Sequence, residues 1–310
     1  IFQKKVIFKK LGLIVIDEQH KFGVNQRKKL SDKGGNNCDV LLMTATPIPR
    51  TLTMTIYGDM DISIIREKPK RRKIIKTYSK PESKIEEVLK FVTKQIKIGN
   101  QVFWVCPLID ESQKMDHSSA IKKFEYLKKK FPNKVALLHG KIDIEEKENI
   151  LNDFLKKKFQ ILVSTTIIEV GIDFPNANVI IIENANKFGL SQLHQLRGRV
   201  GRGDKDSTCV LMFKSNLSDN AKKRINILKE TNDGFLISEE DMKIRGFGDV
   251  LGFKQSGIKN FKLADPVHNN DLFLLAEKEI KRIENSNEDI SKFKALLKLY
   301  DRADIINDIA

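Results

Sequence analysis

Cysteine is scarce: Cys38, Cys106 and Cys209 are the only three in 310 residues, far apart and without any Cys-x-x-Cys or Cys/His pairing. That spacing indicates neither a disulfide framework nor a zinc site, and it suits a reducing cytoplasm. No apolar run approaches the roughly 20 residues that span a bilayer, and the opening residues lack a charged-then-apolar secretion signal with a cleavage site. The sequence therefore reads as soluble and cytoplasmic, with no membrane partner. Repeat arrays and low-complexity tracts are also missing, and 40% hydrophobic against 31% charged residues is ordinary for a folded chain. The first residue is Ile1 rather than Met, and a core strand follows almost at once, so the chain reads as the downstream part of a longer protein.

What the sequence has in excess is positive charge. There are 56 Lys+Arg against 41 Asp+Glu, a net charge of +15, which favours a polyanionic partner without naming it. The runs Lys128-Lys129-Lys130 and Lys156-Lys157-Lys158 read, by themselves, as solvated basic faces.

Periodicity divides the chain into three parts. From residue 1 to 72 the pattern is a strand (13–16), a helix or loop (25–30), a strand (40–43) and a helical stretch near Thr51, which is half of an α/β domain. The basic, proline-broken run Lys68-Pro69-Lys70-Arg71-Arg72-Lys73 has the composition of a linker. From 73 to 214 strands alternate with amphipathic helices. A strand begins at Ile74, and Ile85, Val88, Leu89, Val92 and Ile96 form one helical face. Then come strand 102–106, helix 119–131, strand 135–138, helix 144–155, and strands 161–164, 179–183 and 208–213. That rhythm predicts a mainly parallel, helix-covered sheet. Beyond 214 only helices are expected, at 219–231, 239–245, 265–283 and 289–300, with Asn232-Asp233-Gly234 as a turn between the first two.

The chemistry-bearing stretches all follow strands. Leu13-Ile14-Val15-Ile16 reads as a buried strand ending in Asp17-Glu18-Gln19-His20, and ligands of parallel α/β sheets bind beyond the carboxyl ends of the strands. One carboxylate there can hold Mg²⁺ against nucleotide phosphates and the next can orient a water, while Gln19 and His20 can sense the third phosphate. An ordinary solvated acidic turn is the other reading. Thr44-Ala45-Thr46-Pro47 follows the second strand; its hydroxyls can bond carboxylates at an adjacent strand end, or simply mark a turn. Ser164-Thr165-Thr166 leads to Gly171 and Asp173, suited to sugar-phosphate contact or to capping a helical turn. In Gln195-Leu196-Arg197-Gly198-Arg199-Val200-Gly201-Arg202-Gly203, a helix continuing to Arg202 would place Arg199 and Arg202 on one face, aimed at one anionic centre as arginine fingers. A glycine-broken patch that merely grips phosphates fits equally.

Asp-Glu-x-His, Thr-Ala-Thr, the Thr-Thr block and Gln-x-x-x-Arg-x-x-Arg occur here in the order found in superfamily 2 nucleic-acid helicases and translocases, which the chain therefore resembles. The segments 58–63, 104–112 and 182–184, and the tail Arg245-Gly246-Phe247-Gly248-Asp249 with Gln255-Ser256-Gly257, are similar to the RecG family of fork-reversal and branch-migration translocases. The tail also resembles the motif shared with the transcription-repair coupling factor Mfd.

The resemblance implies α/β architecture with two RecA-like parallel-sheet domains, the first only partial, followed by a helical hairpin and C-terminal helices. It implies ATP and Mg²⁺ as cofactors, double-stranded and branched DNA as partners, and a monomeric motor. Asp17, Glu18, Gln19, His20, Arg199 and Arg202 would be catalytic, with Asp17 and Glu18 at the metal; Gly171, Asp173 and Gln195 would join Asp17 in contacting nucleotide. Thr165 and Thr166 would touch DNA, and Thr44, Thr46, Arg224, Arg245 and Gln255 would couple hydrolysis to movement. Arg224 and Arg245 are expected to pin the hairpin helices to each other. The family's Gly-x-x-x-x-Gly-Lys-Thr phosphate loop does not occur in these 310 residues, so this stretch alone is expected to be inactive. A motor of the Mfd kind, or a non-catalytic basic nucleic-acid-binding relic, would share several of these features.

Overall fold

The computed structural model describes residues 5–18, 38–44, 61–67, 73–107, 113–165, 174–245 and 269–286, with parts of 3–34 and 290–295. Two compact units divide the chain, one of residues 1–49 and 61–244, the other of 50–60 and 245–310.

Near the start of the first unit, β1 (Leu13–Ile16) and β2 (Asp39–Leu42) pair in parallel, Leu13 opposite Asp39. Ile14 and Ile16 are buried with Leu30, whereas Leu13 and Val15 are exposed. The expectation of a strand buried throughout is thus met on one face only, because among the described residues nothing layers the other face.

The larger sheet is complete. Six parallel strands, β3 (Lys76–Pro81), β4 (Gln101–Val105), β5 (Val135–Leu138), β6 (Ile161–Ser164), β7 (Ala177–Ile182) and β8 (Thr208–Phe213), lie in the order β3-β8-β7-β4-β6-β5. The central strands are apolar on both faces, as parallel strands between helix layers must be. On one face Val102, Trp104, Val163 and Ile181 pack with Val88, Leu89 and Val92 of α1 (Ile85–Lys97) and Leu127 of α2 (Gln113–Lys130). On the other, Phe103, Leu162 and Ile180 pack with Phe154 of α3 (Ile144–Leu155) and with Leu190, Leu193 and Leu196 of α4 (Leu190–Arg197). Phe103, Phe154 and Phe174 form a triangle of rings with centroids 5.5 Å apart.

Helix ends explain most boundary differences. Asp143 accepts from Glu146 N at 2.8 Å and fixes the start of α3 where periodicity placed it. The helix expected from 239 begins instead at Gly234: Asp233 accepts from Phe235 N at 2.8 Å, so the glycine read as punctuation is the first helical residue of α6 (Gly234–Arg245). Preceding it, α5 (Asp219–Glu230) is capped by Ser218. Ile225, Leu228 and Ile237 share the core of the six-stranded sheet, so both hairpin helices are built onto it. In the second unit α7 spans Asn270–Ser286.

Candidate active site and its coupling helices

Asp17 and Glu18 stand immediately beyond the carboxyl end of β1. The Glu18 amide donates to Asp17 Oδ1 at 2.8 Å, and Glu18 has φ 50, a left-handed conformation that a side-chain-bearing residue adopts only at a cost. Asp17 is exposed and Glu18 half-buried. Thr44, half-buried, follows the adjacent β2. Gln19, His20, Thr46, Thr166, Gly171, Asp173 and Gln255 lie outside the described residues, as does the Arg245 side chain.

At the carboxyl end of β6, Ser164 and Thr165 are buried at 0% and 1% exposure, and neither hydroxyl has a hydrogen-bond partner among the described residues. Cys106, just past β4, and Glu183, just past β7, meet at neighbouring strand ends. Lys123 Nζ lies 2.6 Å from Glu183 Oε1, and Cys106 Sγ donates to Glu183 Oε2 at 3.7 Å. Burial, and then the Glu183 charge, push the Cys106 thiol far above its ordinary value, so it is a neutral donor.

The arginine-rich stretch departs from expectation. The helix α4 stops at Arg197 with Gly198 at its end, and Arg199 and Arg202 lie in the loop beyond. The premise that a helix runs on to Arg202 is therefore wrong: Gly198 ends it, and Gly201 turns the chain at φ 73. A Cβ on Gly201 would come within 3.1 Å of Ile75 Cγ1, so this turn is fitted against the residue that enters β3. Arg199 is half-buried and Arg202 exposed, with Gln195 half-buried on α4.

Arg197 does something different. It is 1% exposed, and its guanidinium donates to the carbonyls of Leu228 (2.8 Å) and Thr231 (2.9 Å), to Thr77 Oγ1 (3.4 Å) and to His194 Nδ1 (2.9 Å). Since guanidinium has no acceptor, that last contact requires an unprotonated Nδ1 on His194. The carbonyls belong to the C-terminal end of α5, whose partial negative charge favours a cation. Burial lowers the Arg197 pKa, with Cys209 opposing, and burial pushes Cys209 up to about 12. Ser191 at the other end of α4 donates to Asp241 Oδ2 of α6 at 2.5 Å. Arg224 of α5 donates to the Asn186 carbonyl at 3.0 Å. This bond clasps the hairpin to the loop before α4.

Arg197, Ser191 and Asp241 were missed in the sequence. A signal existed for Arg197: Leu190, Leu193 and Arg197 fall at i, i+3 and i+7, an apolar stripe with an arginine in it.

A six-stranded parallel sheet with an arginine-bearing loop after the helix that precedes its last strand has the α/β architecture of helicase domains. Residues 83–204 match the helicase conserved C-terminal domain. Residues 231–300 match domain 3, C-terminal, of the ATP-dependent DNA helicase RecG, and the chain belongs to the RecG family. It is 51% identical over 270 residues to the ATP-dependent DNA helicase RecG of Bacillus subtilis (strain 168), covering 86% of this chain and 39% of that protein. With RecG of Aquifex aeolicus (strain VF5) it is 48% identical over 306 residues, 96% of this chain and 38% of the other. The chain thus spans about two-fifths of these relatives. A solved structure of RecG bound to a three-way DNA junction superposes with a TM-score of 0.67 at 42% identity, covering 88% of this chain and 35% of that one. S. cerevisiae Dbp5 bound to RNA and ADP BeF3 shares the fold, with a TM-score of 0.53 at 17% identity over 76% of this chain and 63% of that one.

Proposed function

We propose that this chain is the motor portion of a DNA translocase that uses ATP to remodel branched DNA, acting in the cytoplasm as a monomer. Residues 1–72 would be the end of the first RecA-like domain, 73–214 the second, and 215–310 the coupling hairpin and tail. The observation that carries the reading is the pairing in one chain of carboxylates just past the carboxyl end of β1 with Arg202 exposed in the loop between α4 and β8, braced by Gly201 on Ile75. A junction-bound relative at 42% identity supports the substrate.

Asp17 suits Mg²⁺, a hard cation that keeps most of its waters and needs only one or two carboxylates besides the phosphates. The absence of any cluster of three metal-ligating side chains among the described residues is compatible with that mode. When bound, the ion neutralises charge building on the β- and γ-phosphate oxygens. Glu18 orients the attacking water, Gln19 and His20 sense the third phosphate, and Gly171, Asp173 and Gln195 contact the nucleotide. Arg199 and Arg202 stabilise charge on the transferring phosphoryl group. Thr165 and Thr166 meet the DNA backbone, and Thr44 and Thr46 relay the state of the acids.

Coupling runs through α4. It carries the finger loop at its end and is bonded to α5 through Arg197 and to α6 through Ser191. Movement of the loop on cleft closure is therefore delivered to the hairpin, and Arg224, Arg245 and Gln255 complete the lever. The test is to place Glu18→Gln in a full-length protein carrying these residues and to measure ATP turnover and junction binding. Turnover falls to background with binding retained; undiminished turnover refutes the assignment.

A further inference from the structure

The lysine runs passed over in the sequence are brought together by the fold. The turns entering β4, β6 and β5 are adjacent at the amino end of the sheet. Gln101 Nε2 donates to the carbonyls of Phe154 (2.6 Å) and Phe159 (2.8 Å), and Val102 N donates to Gln160 O (2.8 Å). Gln160 N and Ile161 N both donate to Lys134 O, at 2.8 and 2.9 Å. Neighbouring strands lie about 4.8 Å apart, so the three turns make one edge about 10 Å wide.

Lys97, Lys134, Lys156 and Lys157 stand on this edge, all exposed, and no ion pair is recorded for them among the described residues. The carboxylate nearest in sequence, Asp153, is committed to Lys158 at 2.8 Å. At the opposite end of the sheet the loops carry Asp143, Glu145, Glu146 and Glu183. Thr165, proposed above to meet the DNA backbone, stands at the carboxyl end of β6, so these lysines lie at the other end of that strand.

A second observation is independent of charge. Lys157 has φ 61 at the end of α3, where its amide donates to Phe154 O at 2.9 Å and that of Lys158 to Asp153 O at 3.0 Å. Helices that end this way usually place glycine or asparagine at the left-handed position, because a longer side chain is strained there. A lysine held in that conformation is aimed outward at a conformational cost that charge, not packing, must justify.

We infer that the amino edge of the six-stranded sheet is a second contact surface for duplex DNA, gripping the phosphate backbone of an arm other than the one in the motor cleft. Phosphates recur about every 3.4 Å of axis along a strand, so an edge about 10 Å wide meets about three of them. Such contacts carry no base information and fix only the lie of the arm. The inference rests on the reading of the chain as a DNA motor.

The test is a titration of fluorescent duplex with the 310-residue chain at several salt concentrations. Changing Lys97, Lys134, Lys156 and Lys157 to Gln should flatten the slope of log affinity against log salt by about 2.7, the value for the three phosphates such an edge meets. The same change at Lys90, Lys222, Lys229 and Lys278 should leave it unaltered. Lys157→Gly alone should weaken duplex binding while raising the thermal midpoint, opposite signs that a purely structural lysine would not give.

If the edge variant keeps the wild-type slope, or the control set flattens it equally, the edge is not a DNA surface although the motor reading stands. If the wild-type chain binds no duplex at any salt, both fall. Polyglutamate competing as well as duplex at equal charge would make the surface one for acidic protein and overturn the inference.

Discussion

Arg197 and Arg202 are five residues apart in one basic stretch, yet they belong to different regions of the molecule. The first, at the end of α4, is buried and spends its donors on α5 carbonyls, while the second, in the loop beyond, is exposed. The comparison teaches that an arginine-rich motif need not be one patch with one job. Gly198 separates a structural rivet from Arg199 and Arg202 in the loop beyond, the residues proposed as fingers.

The sharpest way to test that division is Arg202→Ala in a full-length protein carrying these residues. Turnover should fall on the order of a thousandfold, about 4 kcal/mol of transition-state stabilisation, with little change in nucleotide affinity. The thermal midpoint should stay put, because an exposed side chain outside the core contributes within about 0.5 kcal/mol. Equal losses of affinity and turnover would make Arg202 a ground-state binder.

Next in size is Arg197→Ala, which leaves the Leu228 and Thr231 carbonyls without their buried cation. Hydrogen bonds from charged groups are each worth about 1.5–3 kcal/mol, so chemical denaturation should show a loss of about 3 kcal/mol. Unchanged stability would break the distinction between the two arginines. Ser191→Ala removes one donor from the buried Asp241 and should cost about 1.5 kcal/mol, with unwinding per ATP falling more than ATP turnover. Proportional decline in both rates would show that the α4–α6 bond is scaffolding alone.

The smallest effect is expected away from the stretch altogether. Hydrogen bonds from Lys84 and Lys80 hold Glu87 down to about 2 from the ordinary 4.5. A carboxylate with a depressed folded pKa adds stability that is present above its unfolded value and is lost as pH falls from about 4.5 through about 2. Glu87 is exposed, so the contribution is slight and salt-screened. Glu87→Gln should lower stability slightly at neutral pH and remove the slope of the stability profile between about 4.5 and about 2, the two proteins converging below that window; a wild-type slope retained there would contradict the assignment.

Much of the local structure was legible beforehand. The strands at 13–16, 135–138, 161–164 and 208–213 and the helix at 144–155 fall where hydrophobic period and caps placed them, because those signals are written in consecutive residues. The order of the strand-end motifs likewise sufficed to point to the helicase class. The early start of α6 was readable too, since Asp233 is a good cap, but a glycine in the first turn masked it. The end of α4 at Arg197 was announced by Gly198 and outweighed by the attraction of a shared helical face.

What no local pattern contains is which distant groups become neighbours. Arg197 could be seen to sit on an apolar stripe, but its partners are carbonyls at the end of a helix some thirty residues later, brought there by the packing of α5 on the sheet. Lys97, Lys134 and Lys157 are separate in the chain and share an edge only because the crossovers set β4, β6 and β5 side by side. Sequence alone determined the elements and their chemistry, since period, caps and charge act within a few residues. The burial of one arginine, the exposure of another and the gathering of the lysines were decided by tertiary structure, where hydrogen-bond satisfaction and strand order act across the whole domain.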